Sequence, residues 1–321
     1  MANSHPIIVP GELVWLNGRP LLKMVEITEE SLSLPFWSQT LAAKIRVAGL
    51  ISLDESGPEF HAAMTLGGFV YHFNRCGSTL VSNVFSALNS CISISEPFVF
   101  QQLLDSSHGT LKQRVNWLRQ LMALHLDALA AYADYLVIKW PGLMALYIAD
   151  IESAFPRVPT IFLYRNPVEV LVSARLNPLG NTDIVKEVHL GLPLLKNIND
   201  YSPLERTAKL MANMCRHVLL SSNIKLLDYA CLPDAIWTHV APYFNIHLSP
   251  SDVLTMRECG RFHSKSHKKN KIFSDDAWTK RAMANEDELR VSNEIIEPVL
   301  LKMVDLLPSL CVPKLCPTQE T

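Results

Sequence analysis

The sequence predicts an α/β fold, a parallel sheet with helices covering both of its faces. Three observations carry that expectation. From residue 69 onward, short apolar runs alternate with longer stretches of helical spacing, the pattern of strands joined by crossover helices. The runs FVYHF (69–73), YLVIK (135–139) and TIFLY (160–164) each end beside a polar or basic residue. In such sheets ligands gather at the carboxyl ends of the strands. Finally, 49% of the 321 residues are hydrophobic and 19% charged, enough apolar content for a sizeable core.

Taken in order, residues 1–64 mix Pro, Gly and short apolar runs (IIVP, LVWL, VAGLISL). They read as an N-terminal extension or as an edge of the main domain. Residues 65–310 read as that domain and residues 311–321 as a tail. Within it, FVYHF is a strand. STLVSNVFSAL (78–88) sets Leu80, Val84 and Leu88 on one helical face. CISIS (91–95) is a strand, residues 110–133 a long amphipathic helix, and YLVIK a strand. A helix over 142–155 then leads to the strand TIFLY. Pro167 opens the next helix, where its missing N–H costs nothing. A helix over 202–222, a strand at IKLLDY (224–229) and a mostly helical stretch from Asp275 complete the chain.

Net charge is about −2, so a generic nucleic-acid binder is not expected, and any anion site must arise from local clustering. The seven cysteines form no C-x-x-C pair, which points to reduced thiols rather than a disulfide framework or zinc site. No basic start precedes an apolar core at the N-terminus, and no run of 18 apolar residues occurs. The expectation is a cytoplasmic protein with no membrane span.

The chemistry concentrates in HFNRCGSTL (72–80). After a strand, Asn74-Arg75-Cys76-Gly77-Ser78-Thr79 opens a helix. A glycine lets backbone N–H groups turn inward, and the helix N-terminus aims its own at the same point. Ser78 and Thr79 offer hydroxyls and Arg75 a full charge. The bland reading is an ordinary strand–turn–helix with N-capping Ser and Thr. The G-x-x-x-x-G-K-[ST] pattern that holds a nucleotide triphosphate and magnesium is absent.

RCGSTL (75–80) resembles the anion loop of the sulfotransferase superfamily, whose members take a sulfuryl group from 3′-phosphoadenosine 5′-phosphosulfate (PAPS). Cys76 stands where that family usually has Ser. A second family element, an Arg at a strand end with a Ser eight residues later, is matched by Arg165 and Ser173 in LYRNPVEVLVSA (163–174). Two further spacings are similar to those of protein-tyrosine sulfotransferases and bacterial sulfotransferase-like proteins: nineteen residues from Gly77 to Glu96, and twenty-six from Lys139 to Arg165. The resemblance covers residues 69–175 well and extends loosely to about 300.

What it implies is a P-loop-type three-layer α/β/α fold, sulfotransferase-like, acting with PAPS as co-substrate and no metal. Arg75, Cys76, Gly77, Ser78 and Thr79 would receive the 5′-phosphosulfate, and Arg165 with Ser173 the 3′-phosphate. Arg75 and Lys139 would stabilise the transferring group, and Glu96 would be the general base. Glu96 also reads as a strand-end carboxylate paired with Arg75. His72, His108 and His125 are the alternative bases. The basic stretch RECGRFHSKSHKKNK (257–271) reads as a solvated loop, as a contact for nucleic acid or, by the resemblance, as a donor-closing loop offering Ser264, Lys265 and Lys271. The acceptor, whether small molecule, carbohydrate, lipid or peptide, is not legible. A nucleotide kinase with a degenerate loop and a catalytically inactive nucleotide-binding module remain as other readings.

Overall fold

The computed structural model describes residues 6–53, 63–106, 108–176, 200–262 and 276–311. Asn17 and Gly18, at φ of 51° and 76°, turn the chain tightly between β1 (Ile7–Leu16) and β2 (Arg19–Ile27). An Asn-Gly pair with both residues at positive φ is the hairpin turn whose twist matches its strands. After helix α1 (Trp37–Ala42), β3 (Arg46–Ser52) adds antiparallel to β2. Among the described residues these strands pair only with one another, in the order β1-β2-β3. Residues 7–52 thus carry a sheet of their own, which packs through β1 on helices of the main body.

The second sheet holds β4 (Thr65–His72), β5 (Cys91–Ser95), β6 (Tyr135–Lys139), β7 (Thr160–Tyr164) and β8 (Ile224–Asp228). Its order is β5-β6-β4-β7-β8, and every pairing is parallel. The three-layer α/β class expected from the sequence is therefore the class observed. β4 is central because it can be buried on both faces, and Phe69 through His72 are all buried. At Gly68 a Cβ would lie 2.5 Å from the Phe244 ring, so only glycine lets that ring pack against the central strand.

Helices connect the strands: α2 (Ser78–Ser86), α3 (Phe98–Leu104), α4 (Leu111–Leu129), α5 (Ile148–Ala154), α6 (Pro167–Leu176) and α7 (Pro203–Val218). Two of them start at capping boxes. Thr110 with Gln113 opens α4, and Ser202 with Glu205 opens α7. In each, side chain and backbone satisfy one another's orphan groups. The helix expected over 142–155 is divided, with a 3₁₀ segment Gly142–Tyr147 preceding α5. Beyond β8 lie α8 (Pro250–Gly260), α9 (Ala277–Ala282), α10 (Glu286–Val291) and α11 (Glu297–Leu306). No helix among the described residues is long and apolar enough to cross a membrane.

His125 lies fully buried in α4, stacked 5.3 Å from the Phe100 ring, with Nδ1–H donating to the Leu121 carbonyl at 2.8 Å. It is thus part of the core. Burial lowers its pKa to about 4, with the Leu121 contact opposing. An imidazole neutral in the fold and titrating near 6.5 when unfolded stabilises fully above about pH 6.5. That contribution is lost as pH falls towards about 4. His125→Gln should therefore shrink the stability lost between pH 6.5 and pH 4.5, by about 2 kcal/mol, as read by urea unfolding at the two pH values. An unchanged loss would mean that His125 carries its charge inside the fold.

Candidate functional site

From β4 the chain crosses first to β5 and returns to β6 on one side of the sheet. It then passes to β7 and β8 on the other side. The crossovers part at the carboxyl end of β4, where α/β folds open a crevice. The loop into α2 leaves at that point. Arg75 and Gly77 take φ of 66° and 86°, left-handed conformations that are costly for arginine and cluster at functional sites. A Cβ on Gly77 would come within 3.0 Å of Leu232 Cδ1 and 3.1 Å of the Tyr229 ring, so space and conformation both require glycine. Gly77 is also the N-cap of α2 and supplies no side-chain capping bond. The first turn of α2 thus presents N–H groups towards the loop.

The hydroxyl residues of the loop, Ser78 and Thr79, are buried. Cys76 is buried as well, and its thiol donates to the Phe73 carbonyl at 2.7 Å. Its side chain therefore pins the loop to the sheet.

Arg75 Nε donates to Ser173 Oγ at 3.2 Å, a contact across 98 residues that joins the loop after β4 to the helix after β7. Arg165, immediately past β7, is only 3% exposed. Its Nε donates to Glu169 Oε2 at 2.6 Å, one turn along α6, and its Nη2 to Asp276 Oδ1 at 2.5 Å. Asp276 Oδ2 pairs with Lys280 Nζ at 2.7 Å, and Glu169 Oε1 with Arg281 Nε at 2.7 Å. The Arg165 guanidinium also lies 3.9 Å from the Tyr229 ring centroid, close enough for cation–π attraction.

Charge shifts agree with this crowding. Burial opposes the Arg165 charge, but hydrogen bonds to Asp276 and Glu169 outweigh it and raise its pKa. Burial lowers the pKa of Arg75, Asp276 opposes that, and Arg165 adds to it. Lys280 is likewise lowered, by burial first and also by Arg165 and Arg75. The carboxyl of Asp276 is pushed up by burial and, more strongly, held below its usual range by Lys280 and Arg165. Three cations, Arg75, Arg165 and Lys280, thus share one electrostatic neighbourhood.

Across β4, Lys139 ends β6 and is 1% exposed. It forms an ion pair with Glu96, which follows β5, and donates to Ser95 Oγ at 3.2 Å. Glu96 thus pairs with the lysine of the adjacent strand, where the sequence reading pairs it with Arg75. Glu96 takes φ of 59°, and its backbone N–H donates to the Lys139 carbonyl at 2.7 Å. The Phe36 ring lies 5.2 Å from Lys139 Nζ. His72 is buried beside this pair with Nδ1–H donating to the Phe73 carbonyl at 2.8 Å. Burial and then Lys139 lower its pKa to about 4. His108 is exposed and lies tilted against Trp15, with ring centroids 4.5 Å apart.

Sequence reasoning did not single out Glu169, Tyr229, Asp276, Lys280, Arg281 or Phe36. Only Glu169 left a signal, as an acid four residues beyond Arg165 on a helix. Ser264, Lys265 and Lys271 lie outside the described residues. Of the basic stretch that opens at 257, residues 257–260 belong to α8, and Arg261 pairs with Glu258 at 3.1 Å.

No protein-family model matches the sequence, and no curated protein does. Several solved structures that resemble the fold are sulfotransferases. One is the sulfotransferase domain of the curacin biosynthetic pathway, 15% identical with a TM-score of 0.43 over 76% of this chain and 100% of that one. Sulfotransferase STF9 of Mycobacterium avium is 12% identical with a TM-score of 0.44, covering 78% and 79%. A sulfotransferase of Alicyclobacillus acidocaldarius is 11% identical with a TM-score of 0.45, covering 76% and 96%. At these values the likeness carries no functional inference, and the nearer likeness to protein-tyrosine sulfotransferases rests on motif spacing alone.

Glu169, 2% exposed and accepting from two arginines, is the structural counter-charge of the site. Glu169→Ala should cost about 3 kcal/mol of stability, since it leaves buried cationic charge undercompensated. Glu169→Gln, which keeps an acceptor, should cost about half of that. Urea unfolding measures both, and a loss within error for the alanine variant would remove Glu169 from that role.

Proposed function

We propose that this protein is a sulfotransferase that moves a sulfuryl group from PAPS to an acceptor hydroxyl, or an amine, without a metal ion. The observation that carries this reading is the Arg75–Ser173 hydrogen bond. It brings the loop element and the strand–helix element into one site, with Glu96 and Lys139 at the adjoining strand ends. The residues suit a ligand with two separate phosphate-type anions. Backbone N–H groups at residues 76–79, with Arg75, would take the 5′ end, and Arg165 with Ser173 the 3′-phosphate. Arg, with its fixed fork and permanent charge, is the residue suited to that task.

When bound, PAPS supplies an activated sulfuryl group joined to a phosphate leaving group. Glu96 takes the proton of the acceptor hydroxyl. The acceptor oxygen then forms its bond to sulfur as the bond from sulfur to the 5′-phosphate oxygen breaks. That electron pair leaves with adenosine 3′,5′-bisphosphate. Arg75 and Lys139 meet the negative charge that develops on the departing oxygen, and stabilisation of this kind supplies most of the acceleration in the related phosphoryl transfers. In the resting site Lys139 spends its charge on Glu96. Protonation of Glu96 frees that charge as the leaving group needs it, so the ion pair couples base to electrophile.

Adenosine 3′,5′-bisphosphate should raise the melting temperature by several degrees in the absence of magnesium, because a ligand specific to the folded state stabilises it. ATP with magnesium should raise it far less. With PAPS and a metabolite extract, mass spectrometry should find products heavier by one sulfuryl group. Glu96→Gln should lower kcat by about 10²–10⁴-fold while leaving the bisphosphate's thermal shift in place. Equal shifts for the two nucleotides would favour kinase chemistry, and a fully active Glu96→Gln would remove the base.

A further inference from the structure

The anion held by Arg165 and Lys280 is one of the chain's own. Asp276 gives one carboxylate oxygen to Arg165 Nη2 at 2.5 Å and the other to Lys280 Nζ at 2.7 Å. It also lies near enough to Arg75 to favour that charge. We infer that Asp276 is a built-in stand-in for the ribose 3′-phosphate, which holds the cations together while the site is empty and is displaced when a nucleotide phosphorylated at that position binds. The inference rests on the donor reading above and adds to it what fills the 3′-phosphate position before the donor arrives.

Three features separate Asp276 from an ordinary structural carboxylate. The first is access: its side chain is 40% exposed, against 2% for Glu169. Glu169 holds Arg165 from within through Nε, whereas Asp276 takes Nη2 on the side that solvent and ligand reach. The second is position. Asp276 is the N-cap residue of α9 yet makes no side-chain capping bond, although Asp at that position strongly favours one. Its carboxylate is committed to the two cations instead.

The third is charge. A carboxylate brings a single negative charge to Arg75, Arg165 and Lys280, while a phosphomonoester brings nearly two and more acceptor oxygens. A ligand shifts such an equilibrium only through its differential affinity for the two arrangements. A 3′-phosphate can displace the carboxylate, whereas a free 3′-hydroxyl cannot and leaves Asp276 in place. The stand-in also keeps the buried Arg165 compensated when no ligand is bound, so the pocket stays formed.

Isothermal titration without metal, using adenosine 3′,5′-bisphosphate and adenosine 5′-monophosphate on the whole protein, tests this. Asp276→Asn should bind the bisphosphate at least about tenfold more tightly than the unaltered protein, with monophosphate affinity changed by less than about twofold. Asp276→Glu, which keeps the charge, should stay within about threefold of the unaltered protein for both ligands. Equal or weaker bisphosphate binding by Asp276→Asn, with the unaltered protein still binding it, overturns the stand-in and leaves the donor reading intact. Equal tightening for both nucleotides overturns displacement by the 3′-phosphate. Failure of every form to bind the bisphosphate overturns the donor reading and the stand-in together.

Discussion

Two cations sit almost without solvent at the carboxyl ends of two strands of one sheet, on either side of β4. Lys139 and Arg165 are 1% and 3% exposed, and a charge so deeply buried is tolerated only when paired and hydrogen-bonded. Much of the surrounding structure can be understood as meeting that constraint. Glu96 adopts a left-handed backbone conformation next to Lys139, and Ser95 accepts a further hydrogen bond from it. Glu169 stands one helical turn from Arg165, and α9 brings Asp276 against the other edge of the guanidinium. Parallel topology makes this arrangement possible, since β6 and β7 flank β4 and end at the same side of the sheet.

The N-terminal segment takes part in the same problem. Phe36, just before α1, lies over Lys139, while Trp37 and Thr40 are buried behind it. β1 packs on α3 and α4, and Leu13 N–H donates to Gln102 Oε1 at 3.1 Å. An aromatic face near an ammonium offers attraction without removing a proton or forming a competing ion pair. It also keeps water from one side of the Lys139–Glu96 pair, which strengthens the pair's electrostatics. The first 52 residues are thus covalently remote from the loop at 74–79 but contribute a wall to the chemistry at the strand ends.

Much of this fold could be read in advance because buried parallel strands are nearly continuous apolar runs. CISIS, YLVIK and TIFLY coincide with β5, β6 and β7, and the helices after Thr110 and Ser202 begin at capping boxes. The N-terminal sheet was less legible. Its strands are interrupted by Pro10, Gly11, Pro20 and Gly49, and β3 is exposed along most of its length, so neither apolar continuity nor alternation marks it. The turn at Asn17-Gly18 was the available signal. The loop, Glu96, Lys139, Arg165 and Ser173 were singled out by the order and spacing that carry the sequence resemblance. Asp276, Lys280 and Arg281 were not, because Asp276 and Arg281 reach Arg165 and Glu169 across more than 100 residues, Lys280 joins them through Asp276, and no local rule fixes such a meeting. Tyr229 follows a recognised strand, but nothing in its surroundings says that its ring faces Gly77 and Arg165.

Two carboxylates serve the same guanidinium and differ in what they can do. Glu169 bridges Arg165 and Arg281 from a buried position, and removing it would strand charge inside the protein. Asp276 bridges Arg165 and Lys280 from the rim, where an incoming anion can take over its bonds without exposing Arg165 to an unbalanced field. Counting the described side chains of this cluster, Arg75, Arg165, Lys280 and Arg281 face Glu169 and Asp276. Four positive charges therefore meet two negative ones, and the excess is about what one phosphomonoester carries at neutral pH. If Asp276 swings away, the excess grows by one and the pull on the ligand grows with it. Glu169 alone still screens the deepest part of the cluster. Fixed inner compensation with exchangeable outer compensation is how a site can hold a strongly attractive field while its fold remains stable without the ligand.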